Sequence, residues 1–135
     1  MTLNPADFTL HDVSRFPLVL ANGDASPGYA VQWEREMQAL VAHGKTFVLI
    51  LPQARSDEAH EDRKRRGLWL KQNKKALGTV CKALISVEPD AARRTALAMK
   101  SAMAERAFGI PMRAAATLQQ ACVDGLELVG AARDA

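Results

Sequence analysis

At 135 residues and 14.7 kDa, with 48% hydrophobic and 24% charged residues, the chain has the size and composition of one globular domain with its own core. No apolar run approaches the roughly 20 residues of a membrane-spanning helix, and the first dozen residues carry acids rather than the basic patch and hydrophobic run of a secretory signal, so a cytoplasmic location is expected. The formal charge of +3 is concentrated: Arg63 to Lys75 holds seven basic residues and no acid, directly after Asp57, Glu58, Glu61 and Asp62.

Phe8 to Val13 and Phe16 to Ala21 read as two short strands joined by Ser14 and Arg15, an N-terminal antiparallel hairpin. Asn22 to Ser26 is a loop. Ser26 followed by Pro27 marks a helix start, with a hydroxyl to cap free amides and proline at the first helical position. That helix runs to His43, places Ala30, Trp33, Met37, Leu40 and Val41 on one stripe, and stops at Gly44. Thr46 to Leu51 is apolar on both faces, as expected of a central strand covered from both sides, and Pro52 ends it. After the loop Gln53 to Ser56, one long helix is predicted from about Asp57 to Leu77, acids first and bases later, the order the helix dipole favours. Ala83 to Val87 reads as another buried strand, and Asp90 as the cap of a helix from Ala91 to Phe108 that Gly109 ends. Ile110 to Ala115, interrupted by Pro111, reads as an edge strand. Thr117 caps a last helix through Val129 that packs with Leu118, Ala121, Cys122, Leu126 and Val129, followed by a fraying tail. The order predicts a single α/β domain: a mostly parallel sheet of four to five strands with an N-terminal antiparallel hairpin, right-handed crossovers and four covering helices.

Ligands of open α/β sheets gather at the carboxyl ends of the strands, where loops and helix N-termini converge. The sequence places Asn22, Asp24, Gln53, Arg55, Ser56 and Glu88 at that edge. They form either a crevice for a small polar or anionic ligand, with Arg55 as counter-charge, or a set of ordinary loop residues. At about 100° per residue, the long helix puts Ala59, Asp62, Arg66, Trp69, Leu70, Asn73 and Leu77 on its packing face, with Asp62 and Arg66 spaced as an ion pair. Its opposite face carries Lys64, Leu68, Lys71 and Lys75, a basic surface with a central apolar residue that suits a protein partner or a second copy of the chain. The positive field is too narrow to favour nucleic acid.

His11, His43 and His60 lie on separate elements without metal-ligand spacing, so neither a metal nor a cofactor is expected. Cys81 and Cys122, each among apolar neighbours, read as buried thiols. An enzymatic alternative uses His60, Glu61 and Asp62, near Arg55, for acid–base chemistry.

The layout resembles that of the STAS superfamily, in particular its SpoIIAA-like branch, across about residues 8 to 129: an early strand, a helix opening near Pro27-Gly28-Tyr29, the strand Phe47 to Leu51, a charged helix, the strand Ala83 to Val87, then helix, weak strand and closing helix. In phosphorylated members the acceptor serine sits in an Asp-Ser-Ser/Thr-Gly motif after the central strand; here that place reads Gln53-Ala54-Arg55-Ser56-Asp57-Glu58, with Ser56 nearby and the motif absent. The resemblance implies a non-catalytic regulatory or ligand-binding domain.

Overall fold

The computed structural model describes residues 3–22, 26–53 and 58–134, with 131–134 as backbone alone. After a 3-10 turn at Pro5–Asp7 come β1 (His11–Asp12), β2 (Leu18–Ala21), α1 (Ala30–His43), β3 (Phe47–Leu51), α2 (His60–Gln72), α3 (Lys74–Val80), β4 (Cys81–Val87), α4 (Ala91–Phe108), β5 (Met112–Ala115) and α5 (Leu118–Asp134). One sheet holds the five strands in the order β1-β2-β3-β4-β5. β1 runs antiparallel to β2 and every other pair is parallel, so the expected α/β class with its antiparallel start is present.

A sequential parallel order built from right-handed crossovers puts the connecting helices on one face. The pleat divides the core accordingly. Val19, Phe47, Leu49 and Cys81 pack under Trp33, Met37 and Leu40 of α1, Trp69 of α2 and Leu77 of α3. Leu18, Val48, Ile50, Ala83 and Ile85 face the other way, onto Ala121 and Val129 of α5. Phe47 pairs with Cys81 but Leu49 with Leu84, and this shift in register lets Cys81 and Leu84 share a face despite their odd spacing. α5 lies close to its face because Gly125 has no side chain: a Cβ there would come within 2.9 Å of Leu18 Cδ2 and 3.3 Å of Val48 Cγ1.

The punctuation read from the sequence is in place at four joints. Gly44 and Gly109 end their helices at φ 76° and 74°. The Asp90 carboxylate accepts from the Arg93 amide at 3.0 Å, and Thr117 Oγ1 from the Gln120 amide at 3.1 Å. β5 occupies the sheet edge, as expected.

Other expectations need correction. Both N-terminal strands are shorter than their apolar runs. α1 begins at Ala30 rather than after Ser26, because residues 27–29 form a turn that the Tyr29 amide closes onto the Ser26 carbonyl at 3.0 Å. The predicted long helix is two, broken at Asn73, whose amide and Nδ2 both donate to the Trp69 carbonyl at 2.9 Å; its side chain competes with the backbone for the acceptor that would continue the helix. Leu126 is exposed, since Gly125 and Val129 hold the inner line of α5, and that helix continues past Val129 to Asp134. Among the described residues, no helix is long and apolar enough to cross a membrane.

The least embedded α-helix is α4. None of its eighteen residues is buried, and Met99 and Met103 are 80% and 74% exposed.

Candidate functional site

Strand register lines up two rows of side chains on the face below α1, α2 and α4. The pairings Val19 with Leu49, Leu49 with Leu84 and Leu84 with Met112 make an apolar row across four strands. One pleat towards the carboxyl ends, His11 pairs with Ala21 and Leu51 with Ser86. Trp33 and Met37 reach over this floor from α1, Arg66 and Leu70 from α2, and Leu97, Ser101, Ala104 and Phe108 from successive turns of α4. A cavity of about 300 Å³ lies between this floor and roof, at the small end of the range for ligand sites. Leu51, Ser86, Leu97 and Lys100 also line a groove at the carboxyl ends of β3 and β4, into which the cavity continues.

Of the residues expected at the strand ends, Gln53 and Glu88 meet in that groove, joined by Arg93. Asn22 is elsewhere: its Nδ2 donates to the Thr9 carbonyl at 2.7 Å and its amide to that of Leu10 at 3.0 Å, tying down the N-terminal segment. Asp24, Arg55 and Ser56 lie outside the described residues.

The first turns of α2 are organised differently from their sequence reading. Asp62 is buried, and it does not pair with Arg66. Its carboxylate accepts from the Gly28 amide at 2.9 Å and the Ala30 amide at 3.2 Å, capping α1 from a neighbouring helix because the unsatisfied amides of that N-terminus lie under it. Arg66 instead donates through Nε and Nη2 to both oxygens of Glu58, at 2.7 and 2.9 Å, and Tyr29 Oη donates to the same carboxylate. The Arg66 guanidinium stands 5.7 Å from the Trp33 ring centre, and Trp33 meets Trp69 edge to face at 5.3 Å. Burial works to lower the Arg66 pKa, but the bonds and charge of Glu58 and Tyr29 raise it, so the guanidinium stays charged beside the cavity. Trp69 Nε1 is sealed in the core without a partner among the described residues.

His60 and Glu61 are exposed while Asp62 is turned beneath the helix, so these three side chains do not converge on one point. Lys64, Leu68 and Lys71 are exposed on α2, and Lys75 is exposed on α3 beyond the break. Cys81 is buried, and burial pushes its thiol up to about 12; Cys122 is half-buried rather than sealed. The described residues contain no cluster of histidine, cysteine and acid that could hold a metal ion.

Sequence reasoning missed the most constrained polar pair of the cavity. Glu36, buried on α1, accepts from the amides of Leu10 and His11 and from His11 Nδ1, all at 3.0 Å, and from Thr9 and Gln32. Burial works to raise the Glu36 pKa, yet the bonds from His11, Gln32 and Thr9 hold the carboxyl down at about 2. An ionised carboxylate can only accept, so His11 Nδ1 carries the proton of that bond. The signal was present: Glu36 falls between Trp33 and Met37 on the apolar stripe of α1, where an acid needs a partner.

The chain matches no family model, and no curated protein and no solved structure is significantly similar to it.

Proposed function

We propose that this domain is a non-catalytic, STAS-like binding module that takes a small, largely apolar molecule into the cavity beneath α4. The cavity itself carries the reading. It is a recess of about 300 Å³ between the sheet and α4, open to solvent on one side, at the small end of the range for small-molecule sites. Its walls are mainly apolar, from Trp33, Met37, Leu49, Leu84 and Phe108, and such surfaces bind water poorly and apolar groups well. Through Leu51, Ser86 and Lys100 it borders the groove at the carboxyl ends of β3 and β4. Native mass spectrometry of the gently purified protein, followed by calorimetric titration with butylbenzene, tests the reading. A retained small molecule or saturable uptake of one butylbenzene per chain is expected; a bare protein that takes up no apolar probe overturns it.

A second reading has its own observation. Leu68 is 55% exposed among the exposed Lys64, Lys71 and Lys75, a surface that suits an acidic protein partner or a second copy of the chain. Charge reversal at Lys71 and Lys75 abolishes such a complex in sedimentation or light scattering, while an unchanged complex, or none in the wild type, removes it.

A further inference from the structure

Resting on the cavity reading, we infer that the ligand is a neutral amphiphile, an apolar body ending in a hydroxyl group, and that this hydroxyl hydrogen-bonds Nε2 of His11. His11 is only 3% exposed, yet it lines the cavity. Its ring is fixed from one side by the 3.0 Å bond between Nδ1 and Glu36 Oε1. The other nitrogen has no hydrogen-bond partner among the described residues, and it is not sealed: the buried polar side-chain atom left without a partner and without access is Trp69 Nε1. A buried imidazole with one nitrogen bonded to a carboxylate and the other open to an apolar chamber is a built recognition group.

With Nδ1–H given to Glu36, Nε2 is the ring atom left for a ligand, and a hydroxyl can pair with it as donor or as acceptor. An anionic ligand fits poorly, because it brings a second negative charge close to the buried Glu36 carboxylate in an apolar space. The other cation on the roof, Arg66, is already bound by both oxygens of Glu58 and leaves little charge to offset an anion. A hydroxyl adds no charge and satisfies Nε2.

The register also gives the ligand a direction. His11 stands on β1 and Ser86 on β4, three strands apart on the same sheet face, which is roughly 14 Å at the usual strand spacing. Ser86 and Lys100 lie where the cavity continues into the strand-end groove. The hydroxyl end therefore points to the β1 side and the other end towards that groove.

Three probes of similar shape separate the possibilities: 4-butylphenol, butylbenzene and 4-butylbenzoate, titrated calorimetrically into the wild type and into His11→Phe. The phenol is expected to bind about tenfold more tightly than butylbenzene, the value of one net hydrogen bond. His11→Phe is expected to remove that preference. A preference for the benzoate, or a phenol preference that survives in His11→Phe, overturns the hydroxyl inference while leaving the cavity reading standing. If none of the three binds, both fall. Because His11 also anchors Glu36, ring nitrogen NMR of the unmutated protein serves where the variant does not fold: the Nε2 resonance moves on saturation with 4-butylphenol and not with butylbenzene, and equal movement with both overturns the inference.

Discussion

Asp62 accepts a hydrogen bond from the amide of Gly28, 34 residues earlier in the chain, so helix α1 is capped by a residue of α2 rather than by its own flank. The enzymatic reading, which groups Asp62 with His60 and Glu61 in acid–base chemistry, predicts that His60→Ala abolishes activity and leaves the fold intact. The geometry gives Asp62 a structural role. Asp62→Ala is expected to destabilise the fold by about 1–3 kcal/mol, since it removes a helix cap and leaves the buried Ala30 amide unpaired. His60→Ala should change stability by no more than about 0.5 kcal/mol, as is usual at exposed positions. Urea unfolding of both variants checks the contrast.

Glu36 makes stability depend on acid. Its pKa in the folded protein is about 2, against 4.5 for the free group. A depressed carboxylate contributes in full above its unfolded value, and the contribution drains away as pH falls from 4.5 towards 2. Glu36→Gln should lower stability near neutral pH by about 2 kcal/mol, the scale of hydrogen bonds to a charged acceptor, and should flatten the fall between pH 4.5 and 2. Urea midpoints at a series of pH values in that window read both effects.

Ala104 looks onto the cavity from a helix that has no buried residue. Ala104→Phe should therefore fill space without overpacking the core. Stability is expected to stay within about 1 kcal/mol of wild type, while butylbenzene uptake falls at least tenfold. Retained uptake would place the probe elsewhere.

Cys81 should resist modification. Its burial pushes the thiol up to about 12, so almost no thiolate exists at pH 8. Brief alkylation of the native protein, read by peptide mass spectrometry, should leave Cys81 unmodified, and alkylation in denaturant should modify it fully.

Local chemistry explains what was legible in the chain. Gly44, Gly109, Asp90 and Thr117 act on amides and carbonyls within a few residues of themselves, and each performs the role its neighbours indicated. The doubly apolar run Phe47–Leu51 became a central strand because helices cover both of its faces. What was hidden depends on partners distant in sequence. Asp62 had Arg66 one turn away and chose the α1 amides; Glu36 took the Thr9 to His11 segment. Asn73 broke a helix that its charge pattern and spacing would have continued. The cavity was the least legible feature, because its lining gathers residues from every strand and from α1 to α4, and the alanines and methionines of α4 show no stripe that would mark a face towards it.

The exposure of α4 separates two kinds of selection. The sheet, α1, α2, α3 and α5 supply the buried residues of the core, whereas α4 supplies none and adds Phe108 at its margin. Leu97, Ser101 and Ala104 line the chamber without being buried in the core. A lineage with this architecture can vary the chamber's wall one helix face at a time, with the His11–Glu36 pair as its fixed reference point.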